Sequence, residues 1–235
     1  MGIYYYTSMK IFYRISDGSY KKDRLPNATK KHCLDNFLQF FPSNEVFIYA
    51  DNVKDETFER LSSYNCELIR TNGGSSAGGF RIVLAAALDL PTDEVLYFVE
   101  DDYLHLPNSR EILLEGIERS HYVTLYDHVD KYIPASMGGN PFIGDDGAEE
   151  TKVLLTKNRH WKMTNSTTMT FATTTDILRE DADVWKKFTA GTYPHDFDCF
   201  MELRQKGRTL ISPMPSLSTH CDTPWVAPLI NWETI

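Results

Sequence analysis

Short apolar runs and segments with apolar residues three or four positions apart alternate along the first part of the chain. Runs rich in β-branched and aromatic residues predict strands at residues 9–15, 45–49, 67–70 and 94–99. Apolar residues at helical spacing predict helices between them, at residues 29–41, 55–64 and 80–88. Because strand and helix alternate, the pattern predicts an α/β fold with a doubly wound, mostly parallel sheet.

The rest of the chain is less regular. Strands are predicted at residues 122–126, 152–156, 167–172 and 208–211, and helices at 176–187 and 196–206. Residues 133–150 are predicted to form a loop, and residues 212–235 an irregular tail. No segment has the composition of a linker, so we expect a single domain over 1–235, with a first half of about 1–105 and a second half of about 106–235.

The charge balance limits the partners of the protein. Among 235 residues, 33 are Asp or Glu and 24 are Lys or Arg, which gives a formal net charge of −9. A protein that binds nucleic acid through its phosphates needs a basic stripe, and the sequence has none, so we expect no nucleic-acid partner. An acidic protein that binds a phosphorylated ligand must neutralise it locally, with a bound cation or a few placed Arg and Lys side chains.

The cysteines and the hydropathy pattern bear on the compartment. Cys33, Cys66, Cys199 and Cys221 are far apart and form no CxxC pair, which argues against structural zinc and favours free thiols, although one disulfide stays open. The start of the sequence lacks a basic segment followed by an apolar one, and no apolar run approaches the ~20 residues of a membrane helix. We therefore expect a soluble, cytoplasmic protein without a signal peptide or a membrane span.

Three consecutive acidic residues, Glu100, Asp101 and Asp102, follow the strand predicted at 94–99. Ligands of doubly wound sheets bind outside the carboxyl ends of the strands, which is where these residues stand. Crowded carboxylates repel one another unless a cation or hydrogen-bond donors compensate them. Mg²⁺ or Mn²⁺ commonly binds one or two carboxylates together with substrate phosphates, so the sequence predicts a divalent metal site; the alternative is a solvated acidic turn.

A glycine-rich segment at residues 72–79 leads into the helix predicted at 80–88. It is neither a GxGxxG motif nor a Walker A loop, because Phe80 and Arg81 stand where Lys and Ser or Thr are needed. Backbone N–H groups of such a segment, together with the guanidinium of Arg81, could bind an anion. A mobile surface loop is the alternative.

Two later motifs add candidate chemistry. Pro194 precedes the helix predicted at 196–206, so Asp196 and Asp198 lie near its start, either as capping carboxylates or as a general base. His220 stands in the predicted tail. A lone histidine there is usually structural, but it could supply a second metal ligand from the far end of the chain.

Together these features resemble the GT-A glycosyltransferases, in which a nucleotide-binding sheet ends in a DXD-like motif and a later half binds the acceptor. Glu100-Asp101-Asp102 stands at the DXD position, with Glu in the first place. The resemblance spans nearly the whole chain on short motifs. In size and layout the chain also resembles the compact glycosyltransferases of large algal viruses. The resemblance implies that about 1–105 binds the nucleotide and about 106–235 binds the acceptor.

The resemblance further implies a role for each candidate residue. Asp102 and His220 would bind Mn²⁺ or Mg²⁺, and Glu100 or Asp101 would hold the ribose or a metal-bound water. The other donor-site side chains would cradle the base and ribose or approach the diphosphate and sugar: Tyr13, Arg14, Asp17 and Asp51 in the first group, and Ser76, Gly78 and Arg81 in the second. Asp196 is the expected general base of an inverting enzyme, with Asp198 in reserve.

The implied activity is metal-dependent transfer of a sugar from a nucleotide diphosphate sugar, above all a UDP-sugar, to a hydroxyl of a carbohydrate or glycan acceptor. Trp161, Tyr193 and Trp225 could stack on a sugar, although a tryptophan is more often a core residue.

Two alternatives stay open. A nucleotidyltransferase that makes nucleotide sugars uses a related sheet, but usually has a glycine-rich loop with Arg or Lys directly after the first strand, where this chain has Ser16-Asp17-Gly18-Ser19. A catalytically silent carbohydrate-binding protein would bind sugar independently of a metal.

Overall fold

The computed structural model describes residues 8–18, 23–90 and 94–235. The strands in these ranges are β1 Met9–Ser16, β2 Val46–Asp51, β3 Glu67–Thr71, β4 Val95–Glu100, β5 Tyr103–His105, β6 Tyr122–Val123, β7 Val153–Leu155, β8 His160–Thr164, β9 Phe171–Thr174, β10 Leu210–Met214 and β11 Ser218–His220. The α-helices are α1 Lys30–Phe40, α2 Asp55–Leu61, α3 Ser76–Leu88, α4 Ser109–Ile117, α5 Thr175–Glu180, α6 Ala182–Phe188 and α7 Asp196–Gln205. Within the described ranges, no helix combines the length and apolar character that a membrane crossing requires.

Nine strands of the described part form one mixed sheet, in the order β3-β2-β1-β4-β9-β6-β10-β8-β7. The first four of these neighbours run parallel to one another. β9 runs antiparallel to β4 and β6, and β8 antiparallel to β10 and β7. The prediction of an α/β fold with a mostly parallel sheet is confirmed. The register of the sheet places Arg14 beside Glu100 and Ser16 beside Asp51 at the carboxyl ends of the strands.

Helices cover both faces of the sheet. Successive residues of a strand point to opposite faces, so Ile11 and Tyr13 enter one core while Phe12 enters the other. The first core also receives α1 and α4, through residues such as Phe37 and Leu113, and the second receives α3, α6 and α7. Since helices pack on both faces of the central strands, the ends of these strands are a place where a ligand can reach the sheet.

Trp161 belongs to this core. It is fully buried on β8, and its indole N–H donates to the Thr156 hydroxyl at 3.0 Å. Gly116 of α4 packs so closely that a Cβ there would lie 2.8 Å from the Trp161 ring. Trp161 is therefore a packing residue, and the suggestion that it stacks on a sugar is wrong.

The segment predicted as one helix at 176–187 forms two helices, α5 and α6, which meet at Asp181. The carboxylate of Asp181 is fully buried and accepts hydrogen bonds from Tyr122, Lys206 and Arg208. A buried carboxylate needs such donors, and they come from parts of the chain that are distant in sequence. The periodicity of apolar residues carries no sign of this requirement, so it predicts one continuous helix.

The part of the chain that follows β4 is more regular than the sequence predicts. β5, α4 and β8 had no predicted counterpart, and the third later strand lies at Phe171–Thr174 rather than at 167–172. The expectation of an irregular tail is wrong at both β10, which continues to Met214, and β11. β11 pairs antiparallel with β5, with His220 opposite Tyr103. Strands of three residues are too short for a period-two pattern to reveal them.

The helix predicted at 80–88 starts four residues earlier, at Ser76, so Gly78 and Gly79 are helical. Ser75 caps it by accepting a hydrogen bond from the Gly78 N–H at 3.0 Å. The preceding chain crosses this first turn in close contact, because a Cβ on Gly78 would lie 1.9 Å from the carbonyl oxygen of Gly73. Glycine is needed here for close approach of two backbone segments rather than for a mobile loop.

We expect Gly78→Ala to lower the Tm of the protein by roughly 5–10 °C, since overpacking against backbone typically costs 1–3 kcal/mol. Helix propensity alone predicts the opposite sign, because alanine is the better helix former. Thermal unfolding followed by circular dichroism measures the change. Gly191→Ala is the matched control, since its Cβ would have no neighbour closer than 3.9 Å. A Gly78→Ala protein as stable as wild type would contradict the close-approach explanation.

Candidate active site

A pocket of about 740 Å³ opens where β1, β2 and β4 end side by side. Its walls come from the strand ends, the segment after β1, the start of α3 and the loop before α7. Among the residues expected from the sequence, those that line the pocket are Arg14, Asp51, Ser76, Glu100, Asp101 and Asp102. Tyr193 also lines it, and its side chain is half exposed. The pocket therefore opens at the edge of the sheet where the carboxyl-end rule predicts a ligand site.

Each of the three consecutive acids has a cation of the chain beside it. Nη2 of Arg14 lies 3.1 Å from Oε1 of Glu100, and Nζ of Lys30 lies 3.0 Å from Oδ2 of Asp101. The third acid pairs with Arg24, as described below. Asp101 also accepts a hydrogen bond from the Ser16 N–H at 2.9 Å. The repulsion among the acids therefore does not by itself require a metal ion, which corrects the reasoning from sequence.

Asp102 meets two residues from the far end of the chain. The pairing of β11 with β5 brings His220 to Asp102, with 3.3 Å between His220 Nε2 and Asp102 Oδ2. Asp222 lies next to them, with 3.7 Å between its Oδ2 and His220 Nδ1. All three residues are buried, and each offers a ligand atom within 4.8 Å of the others. Two carboxylates and one imidazole in this space fit a divalent cation such as Mn²⁺.

Arg24 already provides positive charge at this cluster. Its Nη2 lies 3.0 Å from Oδ2 of Asp102 and its Nε lies 3.5 Å from Oδ1 of Asp222. The position between two buried carboxylates is one that favours a cation.

Burial and neighbouring charges shift the pKa values of the cluster. Burial alone would lower the pKa of His220, but the carboxylate of Asp102, and then that of Asp222, raise it above its ordinary value. Burial raises the pKa of Glu100 against the attraction of Arg14, and raises that of Asp101 against the attraction of Lys30. The site thus holds charged groups in a setting where water screens them poorly.

Asp51 and Arg14 fix the wall formed by the glycine-rich segment. The carboxylate of Asp51 accepts hydrogen bonds from the Gly73 N–H at 2.6 Å and from the Thr71 hydroxyl at 3.0 Å. Arg14 donates to the Ser76 carbonyl at 3.4 Å, and its guanidinium lies 5.3 Å from the Phe80 ring centroid. Both side chains line the pocket while holding the start of α3 against the sheet.

Four residues expected in the donor site have other contacts. The Tyr13 ring is fully buried in the core, with its centroid 5.3 Å from that of Phe37. Asp17 accepts hydrogen bonds from the Lys54 N–H at 2.7 Å and from the Thr57 hydroxyl, which stabilises the start of α2. Arg81 donates to the carbonyls of Thr189 and Gly191, the latter at 3.0 Å. The fourth, Gly78, packs against the backbone of Gly73, which precedes α3. These contacts give each of the four residues a structural role.

The two candidate bases differ in their surroundings. Asp196, the first residue of α7, is partly buried, and burial raises its pKa. It interacts electrostatically with His220 and with Glu100. Asp198 is exposed, with 61% of its side chain accessible, beside His195 at 4.0 Å. Burial and the interactions with His220 and Glu100 therefore favour Asp196 over the exposed Asp198 as the candidate base.

Sequence reasoning missed Arg24, Lys30 and Asp222. Asp222 stands two residues after His220, and the period of two in an extended chain puts both side chains on one face, so a usable signal existed. Arg24 and Lys30 precede or begin a helix, in a stretch of ordinary polar residues. Their place in the site depends on how the chain after β1 folds back, for which the sequence offers no pattern.

Comparison of the structure with solved structures identifies the fold. One similar structure is that of GalNAc-T7 with UDP, GalNAc and Mn²⁺, with a TM-score of 0.61 and 13% identity over 91% of this chain and 43% of that chain. The chain has the fold of the nucleotide-diphospho-sugar transferases. This confirms the GT-A resemblance at the level of fold, whereas no protein-family model and no curated protein matches the sequence.

Both branches of the fold occur among its neighbours. CMP:2-keto-3-deoxy-manno-octonic acid synthetase complexed with CTP has a TM-score of 0.53 and 15% identity, over 93% of this chain and 94% of that one. TarS of S. aureus has a TM-score of 0.52 and 16% identity, over 87% of this chain and 35% of that one. The chain therefore spans nearly all of the synthetase, but less than half of each glycosyltransferase.

Proposed function

We propose that the protein is a metal-dependent glycosyltransferase that moves a sugar from a nucleotide diphosphate sugar, a UDP-sugar above all, to an acceptor hydroxyl. The observation that carries this proposal is the convergence of His220 and Asp222 on Asp102, which lines the pocket. Asp102 follows the end of β4, whereas His220 and Asp222 come from the last part of the chain. A cation site at that junction suits a ligand that has both a diphosphate and a sugar.

The structural neighbours support this choice of donor. GalNAc-T7, which shares the fold, has been solved with UDP, GalNAc and Mn²⁺. In this chain, Asp51, Asn52 and Arg14 line the part of the pocket at β1 and β2, where a base and ribose would lie. Ser76 and the end of the glycine-rich segment face the same space at the start of α3, whose N-terminal end favours phosphate groups.

The proposed mechanism divides the chemistry between the metal cluster and Asp196. Bound by Asp102, His220 and Asp222, a divalent cation would supply Lewis-acid stabilisation for the departing diphosphate. The carboxylate of Asp196 would take the proton of the acceptor hydroxyl. Burial raises the pKa of Asp196, which makes it a stronger base than an exposed aspartate. In this proposal the product has inverted anomeric configuration.

The acceptor side has two aromatic candidates. Tyr193 lines the pocket with a half-exposed side chain. Trp225 is partly exposed, its backbone N–H donates to the Asp222 carbonyl at 2.8 Å, and its ring centroid lies 5.5 Å from that of His128. Because aromatic faces bind the apolar faces of sugar rings, we propose that these two residues contact a carbohydrate or glycan acceptor.

A thermal-shift screen of nucleotide sugars, with and without Mn²⁺, tests the proposal. A ligand that binds the native state raises the Tm, by an amount that grows with its concentration relative to Kd. We expect a UDP-sugar with Mn²⁺ to raise the Tm, and EDTA to remove the shift. If no nucleotide sugar shifts the Tm in the presence of Mn²⁺ or Mg²⁺, the proposal fails.

A nucleotidyltransferase that makes nucleotide sugars is the second candidate, and two observations favour it. The chain matches nearly the full length of the CMP:2-keto-3-deoxy-manno-octonic acid synthetase. In addition, Arg24 and Lys30 reach the pocket from the segment that follows β1, although the turn itself lacks the expected basic loop. Incubation with nucleoside triphosphates and sugar phosphates distinguishes the two, since only a nucleotidyltransferase releases pyrophosphate. Sugar binding unaffected by EDTA, without any transfer, would instead indicate a silent carbohydrate-binding protein.

A further inference from the structure

Arg24 differs from the other two cations of the acidic cluster in the identity of its partners. Arg14 and Lys30 pair with Glu100 and Asp101, which are not among the candidate metal ligands. Arg24 contacts Asp102 and Asp222, which are two of those three ligands. The guanidinium and a divalent cation would therefore use the same carboxylate groups.

Two positive charges cannot share these carboxylates at low cost. The Arg24 side chain is 19% exposed, and those of Asp102 and Asp222 are 10% and 8% exposed, so water screens the cluster weakly. Like charges a few ångströms apart repel strongly in such a setting. Binding of a divalent cation between Asp102 and Asp222 thus favours displacement of the guanidinium.

The backbone of Arg24 stays anchored when its side chain moves. Arg24 forms an isolated β-bridge with Asp222, and the residues on either side of Arg24 bond to the residues on either side of Asp222. The Leu25 N–H donates to the Cys221 carbonyl at 3.0 Å, and the Thr223 N–H donates to the Asp23 carbonyl at 2.9 Å. A long side chain on a fixed backbone can change partners without rearranging the fold.

The pocket offers the displaced guanidinium a second anionic partner. Arg24 lines the same pocket as Ser75, Ser76 and Lys30, next to the space where the diphosphate of the donor would lie. A guanidinium binds phosphate oxygens with two parallel hydrogen bonds, which makes a diphosphate a good replacement for two carboxylates.

We propose that Arg24 is an exchangeable counter-ion, which holds Asp102 and Asp222 in the metal-free protein and moves to the donor's diphosphate when a divalent cation takes the carboxylates. The inference rests on the proposed function, because it needs a diphosphate in the pocket. It predicts that Arg24 opposes metal binding in the absence of nucleotide and favours nucleotide binding in the presence of metal.

Arg24→Gln separates these two effects. Without nucleotide, we expect the variant to bind Mn²⁺ about tenfold more tightly than wild type, measured by the electron paramagnetic resonance signal of free Mn²⁺. With saturating Mn²⁺, we expect it to bind UDP about tenfold more weakly, measured by calorimetry, because a charge-assisted contact to phosphate is lost. A purely structural role would not move the two affinities in opposite directions.

Two further variants complete the test. Arg24→Lys keeps the charge but not the planar fork, so its affinity for Mn²⁺ alone should stay near wild type while UDP affinity falls severalfold. It also gives a result if the Gln variant folds poorly. Lys31→Ala removes a positive charge from the exposed surface of α1, where Lys31 pairs with Asp35, and should change neither affinity.

The outcomes distinguish this inference from the proposed function. If wild type binds UDP with Mn²⁺ but Arg24→Gln leaves its affinity for Mn²⁺ alone unchanged, the exchange is refuted and the proposed function stands. Unchanged UDP affinity in that variant refutes the move to the diphosphate. If wild type binds neither Mn²⁺ nor UDP, both proposals are overturned.

Discussion

Asp102→Asn is expected to abolish the Mn²⁺-dependent binding of UDP while the protein stays folded. Asp102 is the residue that joins the strand end to His220, and its carboxylate lies at the centre of the candidate metal cluster. Loss of an outer-shell partner typically weakens metal binding 10–100-fold, so loss of a charged ligand should cost about 100-fold or more. Calorimetry with UDP and Mn²⁺, together with direct Mn²⁺ titration, measures both affinities.

The substitution keeps the size of the side chain and one acceptor oxygen, so Arg24 and His220 retain a polar neighbour. Asp183→Asn is the matched control, because it removes one carboxylate from the exposed surface of α6. Circular dichroism should give the same spectrum for wild type and both variants. An Asp102→Asn protein that binds UDP and Mn²⁺ as wild type does would rule out this metal site.

Asp196→Asn is expected to leave donor binding intact and to lower the rate of sugar transfer about 100-fold or more, the usual scale for a lost general base. Asparagine has nearly the same shape but cannot accept the proton of the acceptor hydroxyl. The measurement is kcat for transfer with a UDP-sugar identified by the screen, alongside the Kd of that donor. A fall in kcat with constant Kd distinguishes a base from a residue that only shapes the pocket.

Asp198→Asn provides the comparison for this prediction. Asp198 is two residues further along α7 and mostly exposed, so we expect its substitution to change the transfer rate little. If the two variants exchange their effects, Asp198 is the base and the choice between them is wrong. If neither variant slows transfer, the reaction uses another base or retains the anomeric configuration.

Much of the first half could be predicted because its elements are long and periodic. β1, β2, β4 and α1 lie within two residues of their predicted bounds, since each has a continuous apolar run or a helical apolar stripe. The site's location followed from the same pattern, because parallel strands bring their carboxyl ends to one edge. Arg14, Asp51, Glu100, Asp101 and Asp102 do line one pocket there.

The second half could be predicted less well because its contacts are non-local. β11 exists through its pairing with β5, and the break between α5 and α6 coincides with a carboxylate that binds groups from β6 and the segment after α7. Short strands and buried polar groups leave almost no periodic trace. For the same reason, the sequence positions of Tyr13 and Arg81 made a place in the donor site plausible, although their side chains have other contacts in the structure.

The sequence by itself determined the class of fold, the edge of the sheet at which the pocket opens, and the concentration of acids at that edge. These follow from local periodicity and from the geometry that all parallel sheets share. Only the tertiary structure decided how the acids are neutralised, because Arg14, Lys30 and Arg24 reach Glu100, Asp101 and Asp102 across the fold. It also decided that Asp222 joins His220 beside Asp102, since ion pairs depend on distances in space that residue order does not fix.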